Sequence, residues 1–244
     1  MDAEGPVLLL GATGRTGRLV LGQLLERGIE VRAIVRSAGR LPPGTRAHPG
    51  LTVIEADLLS LSPEELGDRL EGCAAVLSCL GHTIDLRGIL GPPRDLVERA
   101  VRHVHCAVAA LRPPCPLRFV LMSSVSVNRP GGQDSRRGRL ERLILALIRA
   151  LVPPAWDNQK AADFLSVGLG AADPFLRWSV LRPDTLVDGE LSSYSLHEEL
   201  VSGLSKPDSS TRANVAHFMC ELATGAEVWK AWEGRFPVLV DAGA

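Results

Sequence analysis

Short apolar runs, each closed by a glycine or a polar residue, alternate along this chain with stretches in which apolar residues recur at helical spacing. Such runs are too short for helices and are typical of strands buried on both faces. They predict strands at residues 7–10, 29–35, 51–55, 74–80, 117–122 and 236–240, and a further strand that ends in SVLRP.

The intervening stretches predict helices with recognisable ends. A helix that starts near Gly17 places Leu19, Val20, Leu24 and Leu25 on one face and stops at Gly28. Residues 62–70 begin with Ser-Pro-Glu-Glu, a capping serine followed by a first-turn proline and two carboxylates. A helix opened by Pro92 and Pro93 has an apolar face made of Leu96, Val97, Ala100, Val101, Val104, Val108 and Leu111, and a last long helix covers 211–223.

Strands that alternate with helices predict an α/β fold, a Rossmann-type doubly wound parallel sheet flanked by helices. The chain has 244 residues, 45% of them hydrophobic and 23% charged, so we predict one domain over 1–244. Two stretches, at about 131–155 and 184–210, are predicted to supply the substrate side, the second as a small C-terminal segment.

The loop after the first strand, GATGRTG, carries the clearest chemical signal. Gly11, Gly14 and Gly17 suit a tight turn, close approach to a pyrophosphate and close helix packing, respectively. Free amides at the start of the next helix favour an anion there. We predict a dinucleotide site whose phosphate loop consists of Gly11, Ala12, Thr13, Gly14, Arg15, Thr16 and Gly17. A purely structural glycine turn is the alternative.

The end of the second strand indicates which dinucleotide binds. An acidic residue there would accept hydrogen bonds from an unphosphorylated ribose. This chain has Arg36, Ser37 and Arg40 instead, and Arg15 in the glycine loop can reach the same place. Because guanidinium groups pair with phosphate, we predict NADP(H). The alternative is that Arg36 and Arg40 are merely solvated charges.

The composition of the chain limits the kinds of binding partner that we expect. A net charge of -1 gives no reason to expect nucleic acid, and five cysteines without CxxC spacing suggest neither a disulfide framework nor zinc. His103, His105 and Cys106 point in different directions on a helix, so no metal site is predicted. An acidic N-terminus and the absence of a long apolar run predict a cytoplasmic protein without a membrane span. We expect its substrate to be a small molecule.

Seven motifs, GATGRTG, VRAIVRS, ADL, CLG, RFVLMSS, SVLRP and STRANVAHFM, extend over nearly the whole chain. Together they resemble the atypical short-chain dehydrogenase/reductase proteins, in particular the NAD(P)H-binding group that contains NmrA-like proteins and the biliverdin reductase B (flavin reductase) type. The resemblance implies an adenine site at Asp57 and Leu58, a cofactor ribose along Leu80 and Gly81, and a nicotinamide near Ser123, Ser124 and Pro183. It also places Arg15 and Arg36 where NADPH-using members hold the 2′-phosphate.

The chain departs from tyrosine-dependent members, which use a Tyr-x-x-x-Lys pair for proton transfer. Lys160 is present, but Trp156 stands four residues before it. The only tyrosine is Tyr194, which Glu198 follows four residues later. Hydride transfer remains possible because the nicotinamide supplies the difficult step. The biliverdin/flavin reductase type likewise lacks this tyrosine.

Three further polar residues are weighed for catalysis. Ser124 could hydrogen-bond a substrate carbonyl or the nicotinamide amide, or could simply cap the strand end. Lys160 could hold the nicotinamide ribose, or could form a surface salt bridge with Asp157 or Asp163. His82 follows Gly81 directly, and we favour a solvated loop histidine there.

The segment 131–154 is an insertion with a polar start, GGQDSRRGR, that predicts a loop. A helix over 138–152 follows, with an apolar face made of Leu140, Leu143, Ile144, Leu147, Ile148 and Leu151 and flanked by Arg136, Arg137, Arg139, Arg142 and Arg149. We favour an interpretation in which it covers the substrate crevice or packs against a partner subunit, over a helix on a membrane surface. Asp134 and Glu141 show no paired-carboxylate pattern.

Two functions stay open. The favoured one is an NADPH-dependent oxidoreductase that transfers hydride directly to a flat or conjugated acceptor such as a flavin or quinone. The alternative is a non-catalytic NADP(H)-binding redox sensor of the NmrA-like kind. The substrate is left undetermined, as is the choice between monomer and homodimer.

Overall fold

The computed structural model describes residues 5–82, 93–132, 134, 138, 141, 143–147, 152–203 and 206–242. The strands are β1 (Val7–Leu10), β2 (Val31–Val35), β3 (Leu51–Glu55), β4 (Ala75–Ser78), β5 (Leu117–Met122), β6 (Leu176–Pro183), β7 (Thr185–Val187), β8 (Tyr194–His197), β9 (Ser209–Thr211) and β10 (Val238–Asp241). The helices used below are α1 (Gly17–Glu26), α2 (Pro63–Leu70), α3 (Leu96–Leu111), α4 (Pro153–Asp163), α5 (Arg212–Thr224) and α6 (Ala226–Trp232).

Eight of these strands form one sheet in the order β3-β2-β1-β4-β5-β6-β10-β8. All neighbours pair in parallel except β8, which runs antiparallel to β10. β7 and β9 form a separate parallel pair. The strand order reverses between β1 and β4, and ligands of such sheets bind beyond the carboxyl ends of the strands at this switch point.

Each face of the sheet has its own hydrophobic core. Helices α1, α5 and α6 cover one face, and α2, α3 and α4 cover the other. Leu8 and Leu9 are neighbours in β1 and point to opposite faces, yet both are fully buried. A strand covered on both sides needs apolar residues at every position, which explains the continuous apolar runs in the sequence.

The predicted fold class is confirmed, and the strands predicted at 7–10, 51–55 and 117–122 have the observed bounds. The prediction missed the strands within 184–210, among them β8 at the sheet edge. Strands of three or four residues are too short to show a clear alternation of apolar and polar positions. Helix α3 begins at Leu96 rather than at the proline pair, of which Pro92 lies outside the described residues.

Part of the insertion helix is described, namely 141 and 143–147, and these residues are helical. Leu145 is 2% exposed, whereas Leu143, Ile144 and Leu147 are 58%, 39% and 53% exposed. Three members of the predicted apolar face are therefore exposed in this chain, and both interpretations, a cover for the substrate crevice and packing against a partner subunit, stay predictions. The other predicted members, Leu140, Ile148, Leu151, Arg136, Arg137, Arg139, Arg142 and Arg149, lie outside the described residues.

A buried ion pair ties the start of this insertion to the sheet. Arg182 of β6 is fully buried, and its Nη1 donates to both carboxylate oxygens of Asp134 at 3.0 Å. The same nitrogen donates to the Val127 carbonyl, and Nη2 donates to the Phe236 carbonyl. Asp134 also accepts from the backbone amide of Arg129 at 2.8 Å. A buried charge needs such partners, so Asp134 has a structural role that the sequence did not reveal.

Candidate active site

The three glycines of the first loop differ in what the fold itself requires. Gly11 has φ +81°, and a Cβ added there would lie 2.7 Å from the Cys79 carbonyl oxygen. A Cβ at Gly17 would lie 2.0 Å from the Gly11 carbonyl oxygen. At Gly14 the nearest atom would be that same oxygen at 3.3 Å, a tight but tolerable contact. Protein packing therefore requires glycine at 11 and 17, while Gly14 mainly leaves space in front of the loop.

Within the described residues, the N-terminus of α1 lacks a side-chain cap. Its N-cap residue, Thr16, makes no side-chain capping bond, and no acidic residue lies in its first turn. By contrast, α2 has a capping box between Ser62 and Glu65, and Asp157 caps α3. The amides and dipole of α1 are thus left to attract an anion at the glycine loop.

A cleft of about 220 Å³ opens from the glycine loop. It passes the carboxyl ends of β1, β2, β3 and β4, and Pro93 and Leu96 at the start of α3 form its far wall. Among the residues predicted to bind the cofactor, it is lined by Gly11, Thr13, Gly14, Arg36, Asp57, Leu58, Leu80 and Gly81. Residues from four separate strand ends therefore meet in one cleft, at the switch point of the sheet.

The arginines of the predicted phosphate site lie apart. Arg36 and Arg40 line the cleft at the end of β2. Arg15 instead forms an exposed ion pair with Asp188, which also accepts from Arg212 Nη1 at 2.8 Å. Partial desolvation raises the pKa of Asp188, but the hydrogen bond and charge of Arg15, together with Arg212, outweigh it and hold the pKa below its usual value. Asp188 thus already occupies one guanidinium nitrogen of Arg15, Nη2.

The ends of β5 and β6 carry the residues predicted near the nicotinamide. Ser123 is 7% exposed, and its Oγ is buried without a hydrogen-bond partner in the described part of the chain. Ser124 Oγ lies 2.5 Å from Ser126 Oγ. Pro183 is buried, and its carbonyl accepts from the Val125 amide at 3.0 Å. A bound molecule could supply the partner that Ser123 lacks.

A second, smaller pocket of about 180 Å³ begins at Ser124. Asp184, Ser202 and Glu141 contribute polar atoms to it, and Leu200 contributes an apolar wall. Ser202 donates to the buried Asp184 carboxylate. Tyr194, the only tyrosine of the sequence, does not line this pocket. Its hydroxyl lies 2.9 Å from His217 Nδ1 on α5.

Lys160 lies on α4, and its Nζ is 3.5 Å from Glu98 Oε2 on α3. The side chain is 42% exposed and lies over the Trp156 ring, 5.5 Å from the centroid. The alternative prediction, a salt bridge of Lys160 with Asp157 or Asp163, is wrong, because the ion-pair partner is Glu98. Lys160 does not line the cleft, so its role toward the nicotinamide ribose stays a prediction.

Asp157 is a buried residue whose environment the sequence did not reveal. Its side chain has no exposed surface, and it accepts from the amides of Val97 and Glu98, each at 2.8 Å. His82 Nε2 lies 2.7 Å from the same carboxylate. The histidine side chain is 6% exposed, so the preference for a solvated loop histidine was wrong. The two residues are 75 positions apart, and no local pattern indicates that they meet.

A larger groove of about 430 Å³ lies elsewhere, against Trp178, Trp232 and Phe236. Its charged groups already pair within the chain, Arg235 with Glu198 and Arg129 with Asp134. It lies away from the glycine loop and the strand ends described above, so we regard the cleft at the glycine loop as the candidate cofactor site.

The profile of the NAD(P)H-binding family matches residues 11–225 of this chain. The chain belongs to that family. The match runs from the glycine loop past α5, and it confirms the resemblance inferred from the sequence motifs. It supports a nicotinamide cofactor, for which the open α1 terminus, the space at Gly14 and the unpartnered Ser123 Oγ are suited.

Known proteins are similar to this chain in sequence or in fold. An uncharacterised chloroplastic protein of Arabidopsis thaliana is 28% identical over 210 residues, which cover 84% of this chain and 73% of the relative. The oxidoreductase ylbE of Lactococcus lactis superposes with a TM-score of 0.68 at 16% identity, covering 98% of this chain and 92% of that one. ChuY, an anaerobillin reductase of Escherichia coli O157:H7, gives 0.65 at 19% identity and covers 98% of both chains.

The described residues contain no helix long and apolar enough to cross a membrane. They also contain no cluster of three or more potential metal ligands. His105, from the group considered in the sequence, pairs with Asp173 at 3.0 Å, and Cys106 is exposed.

Proposed function

We propose that this protein is an NADPH-dependent reductase that acts on a flat or conjugated acceptor such as a flavin or a quinone. The observation that carries the cofactor preference is the pair Arg36 and Arg40 in the cleft wall, at the strand end where a ribose-binding carboxylate would stand. The observation that supports a reaction is the second pocket at Ser124, which leaves room for an acceptor beside the predicted nicotinamide position.

In this proposal the chain holds and orients the cofactor. The glycine loop and the start of α1 bind the pyrophosphate, Asp57 and Leu58 lie beside the adenine, and Arg36 with Arg40 bind the 2′-phosphate. Ser123, Ser124 and Pro183 border the nicotinamide. When bound, NADPH supplies the hydride. Lys160 would have to leave Glu98 to reach the ribose, and Arg15 would have to leave Asp188 to assist at a phosphate.

The reaction needs no Tyr-x-x-x-Lys pair. Trp156 occupies the tyrosine position of that motif and is 50% exposed. Tyr194 hydrogen-bonds to His217, and burial raises its pKa, which makes it a poorer proton donor. Hydride transfer to a conjugated acceptor requires mainly orientation and exclusion of water, both of which a closed cleft provides.

Two measurements test the proposal. Equilibrium titration should give tighter binding of NADPH than of NADH, and equal or tighter binding of NADH would refute the cofactor assignment. NADPH oxidation should be measured with a panel of flavins and quinones. Absence of turnover at saturating acceptor would refute the reductase.

A non-catalytic sensor of NADP(H) is the second candidate. The observation that favours it is the solvent-facing apolar surface of Leu143, Ile144 and Leu147, which is available to a partner protein. A sensor must bind its partner differently in the two cofactor states. Pull-down with NADP+ and with NADPH would distinguish it from the reductase, because an enzyme alone has no need for such a difference.

We also propose that the protein works in a reducing compartment such as the cytoplasm, on a small molecule and without nucleic acid. All five cysteines, Cys73, Cys79, Cys106, Cys115 and Cys220, are free thiols. A reducing environment would keep the exposed thiols in this state. Monomer and homodimer are both compatible with this function, and size-exclusion chromatography with light scattering would choose between them.

A further inference from the structure

The pair His82 and Asp157 has a geometry that helix capping alone does not require. Two backbone amides of α3 already satisfy Asp157 as a cap. Because both amides donate to it, Asp157 acts as an acceptor, and the 2.7 Å contact is a donation from His82 Nε2–H. The carboxylate thereby fixes the orientation of the imidazole ring. A buried acid–histidine pair of this kind can hold a proton for transfer.

The second ring nitrogen of His82, Nδ1, is not the one that contacts Asp157. None of the described residues hydrogen-bonds to Nδ1. His82 directly follows Gly81, which lines the cofactor cleft, and a Cβ added at Gly81 would meet nothing within 4 Å. The histidine is therefore held by Asp157, one position beyond a residue that lines the cleft.

Ser123, at the end of the neighbouring strand β5, carries a buried polar atom without a hydrogen-bond partner among the described residues. In the register of β4 and β5, Ser78 pairs with Leu121, and Ser123 comes two residues later. Leu80 and Leu121 both belong to the core under α3 and α4, the side on which Asp157 holds His82. Ser123 Oγ is buried and has no hydrogen-bond partner within the described residues. Because buried polar atoms normally have such a partner, a bound ligand could supply it.

We propose that His82 is the catalytic acid of this protein and that Asp157 is its positioning residue. The inference rests on the proposed reductase function. NADPH is oxidised to NADP+ as its hydride adds to one atom of the conjugated acceptor, which leaves the electron pair of the broken π bond as negative charge at the other end. The proton on His82 Nδ1 moves to that end. His82 becomes neutral and regains its proton from solvent, so one hydride and one proton are consumed per acceptor.

Other charged groups surround the pair and define the controls. Glu98, whose backbone amide donates to Asp157, pairs through its side chain with Lys160 of α4, and Asp95 at the start of α3 pairs with Arg99. His105 provides a matched comparison, because it also pairs with a carboxylate, Asp173, at 3.0 Å but lies on α3 away from the cleft. Substitution His82→Gln keeps a donor toward Asp157 and removes the second ring nitrogen, so the cap of α3 is preserved.

The first test needs no turnover. In ¹⁵N-histidine NMR spectra, assigned with H82Q and H105Q, we expect His82 to lose its proton more readily with NADP+ bound than with NADPH. The positive nicotinamide ring should weaken proton binding about tenfold, the size expected for a unit charge several ångströms away in a partly shielded site. His105 should respond equally to both. Identical His82 titrations in the two complexes would refute the placement.

The second test measures the acid role. H82Q should lower kcat at least about 100-fold, in the range of general acid catalysis, with the NADPH dissociation constant within about threefold of wild type. H105Q should retain wild-type kcat. Asp157→Asn should lose the wild-type pH dependence of kcat, and Asp157→Glu should restore part of it. Wild-type kcat in H82Q would overturn the acid role and leave the reductase standing. Absence of turnover in wild type would refute reductase and acid role together, while the NMR result still decides the placement.

Discussion

Gly17 lies directly against Gly11, because a Cβ at residue 17 would come within 2.0 Å of the Gly11 carbonyl oxygen. The corresponding distance from Gly14 is 3.3 Å. We therefore expect Gly17→Ala to destabilise the fold by more than about 2 kcal/mol through backbone displacement. Gly14→Ala should fold nearly normally and bind cofactor at least tenfold more weakly. Urea denaturation and cofactor titration of both variants check this, and normal cofactor binding by G14A would contradict it.

Arg36 should discriminate between the two dinucleotides. Removing one charge-assisted hydrogen bond costs about 1.5–3 kcal/mol, so Arg36→Ala should weaken NADPH binding about 10- to 100-fold. Binding of NADH should change little, because that cofactor lacks the phosphate. Isothermal titration calorimetry with both cofactors measures the ratio. Arg46→Ala, outside the cleft wall, serves as the control. A loss of the same size for NADH would show that Arg36 has another role.

Asp188 should limit the contribution of Arg15. Its carboxylate is shared between Arg15 and Arg212, and both members of the Arg15 pair are mostly exposed. Asp188→Asn should release Arg15 and raise NADPH affinity by at most about fivefold, since exposed ion pairs are weak. The gain should disappear in the double variant with Arg15→Ala. An unchanged affinity in Asp188→Asn would mean that Arg15 does not reach the bound phosphate.

Arg182 and Asp134 should show strong coupling in stability. Both side chains are almost completely buried, and the two residues pair at 3.0 Å. Asp134→Leu leaves Arg182 buried without its carboxylate and should cost about 3–5 kcal/mol of unfolding free energy. The double variant Arg182→Met with Asp134→Leu should recover much of that loss. Chemical denaturation of all three variants forms the double-mutant cycle, and additive losses would show that the two residues do not act as a pair.

The glycine spacing and the apolar runs determined the fold class from sequence alone, and the phosphate loop that they indicate stays a prediction. These features are local. Strands covered on both faces must be apolar at every position. Glycine is required at 11 and 17 because a Cβ there would clash with backbone atoms within or beside a single turn. The sequence also placed Arg36, Asp57 and Gly81 at strand ends, and the parallel sheet brings them to one cleft.

Only the tertiary structure decided which charges pair. Asp157 meets His82 across 75 positions, and Asp134 meets Arg182 across 48. Arg15 pairs with Asp188 across 173 positions, although its place in the glycine loop suggested a phosphate. The sequence could not show these contacts, because the local sequence around a charged loop residue does not indicate whether its side chain is solvated or paired with a side chain that is distant in sequence. The packing of helices and loops against the sheet determines which charged groups meet. Because it brings His82 to Asp157, His82 is the proposed proton donor and not the solvated loop residue that the sequence predicts.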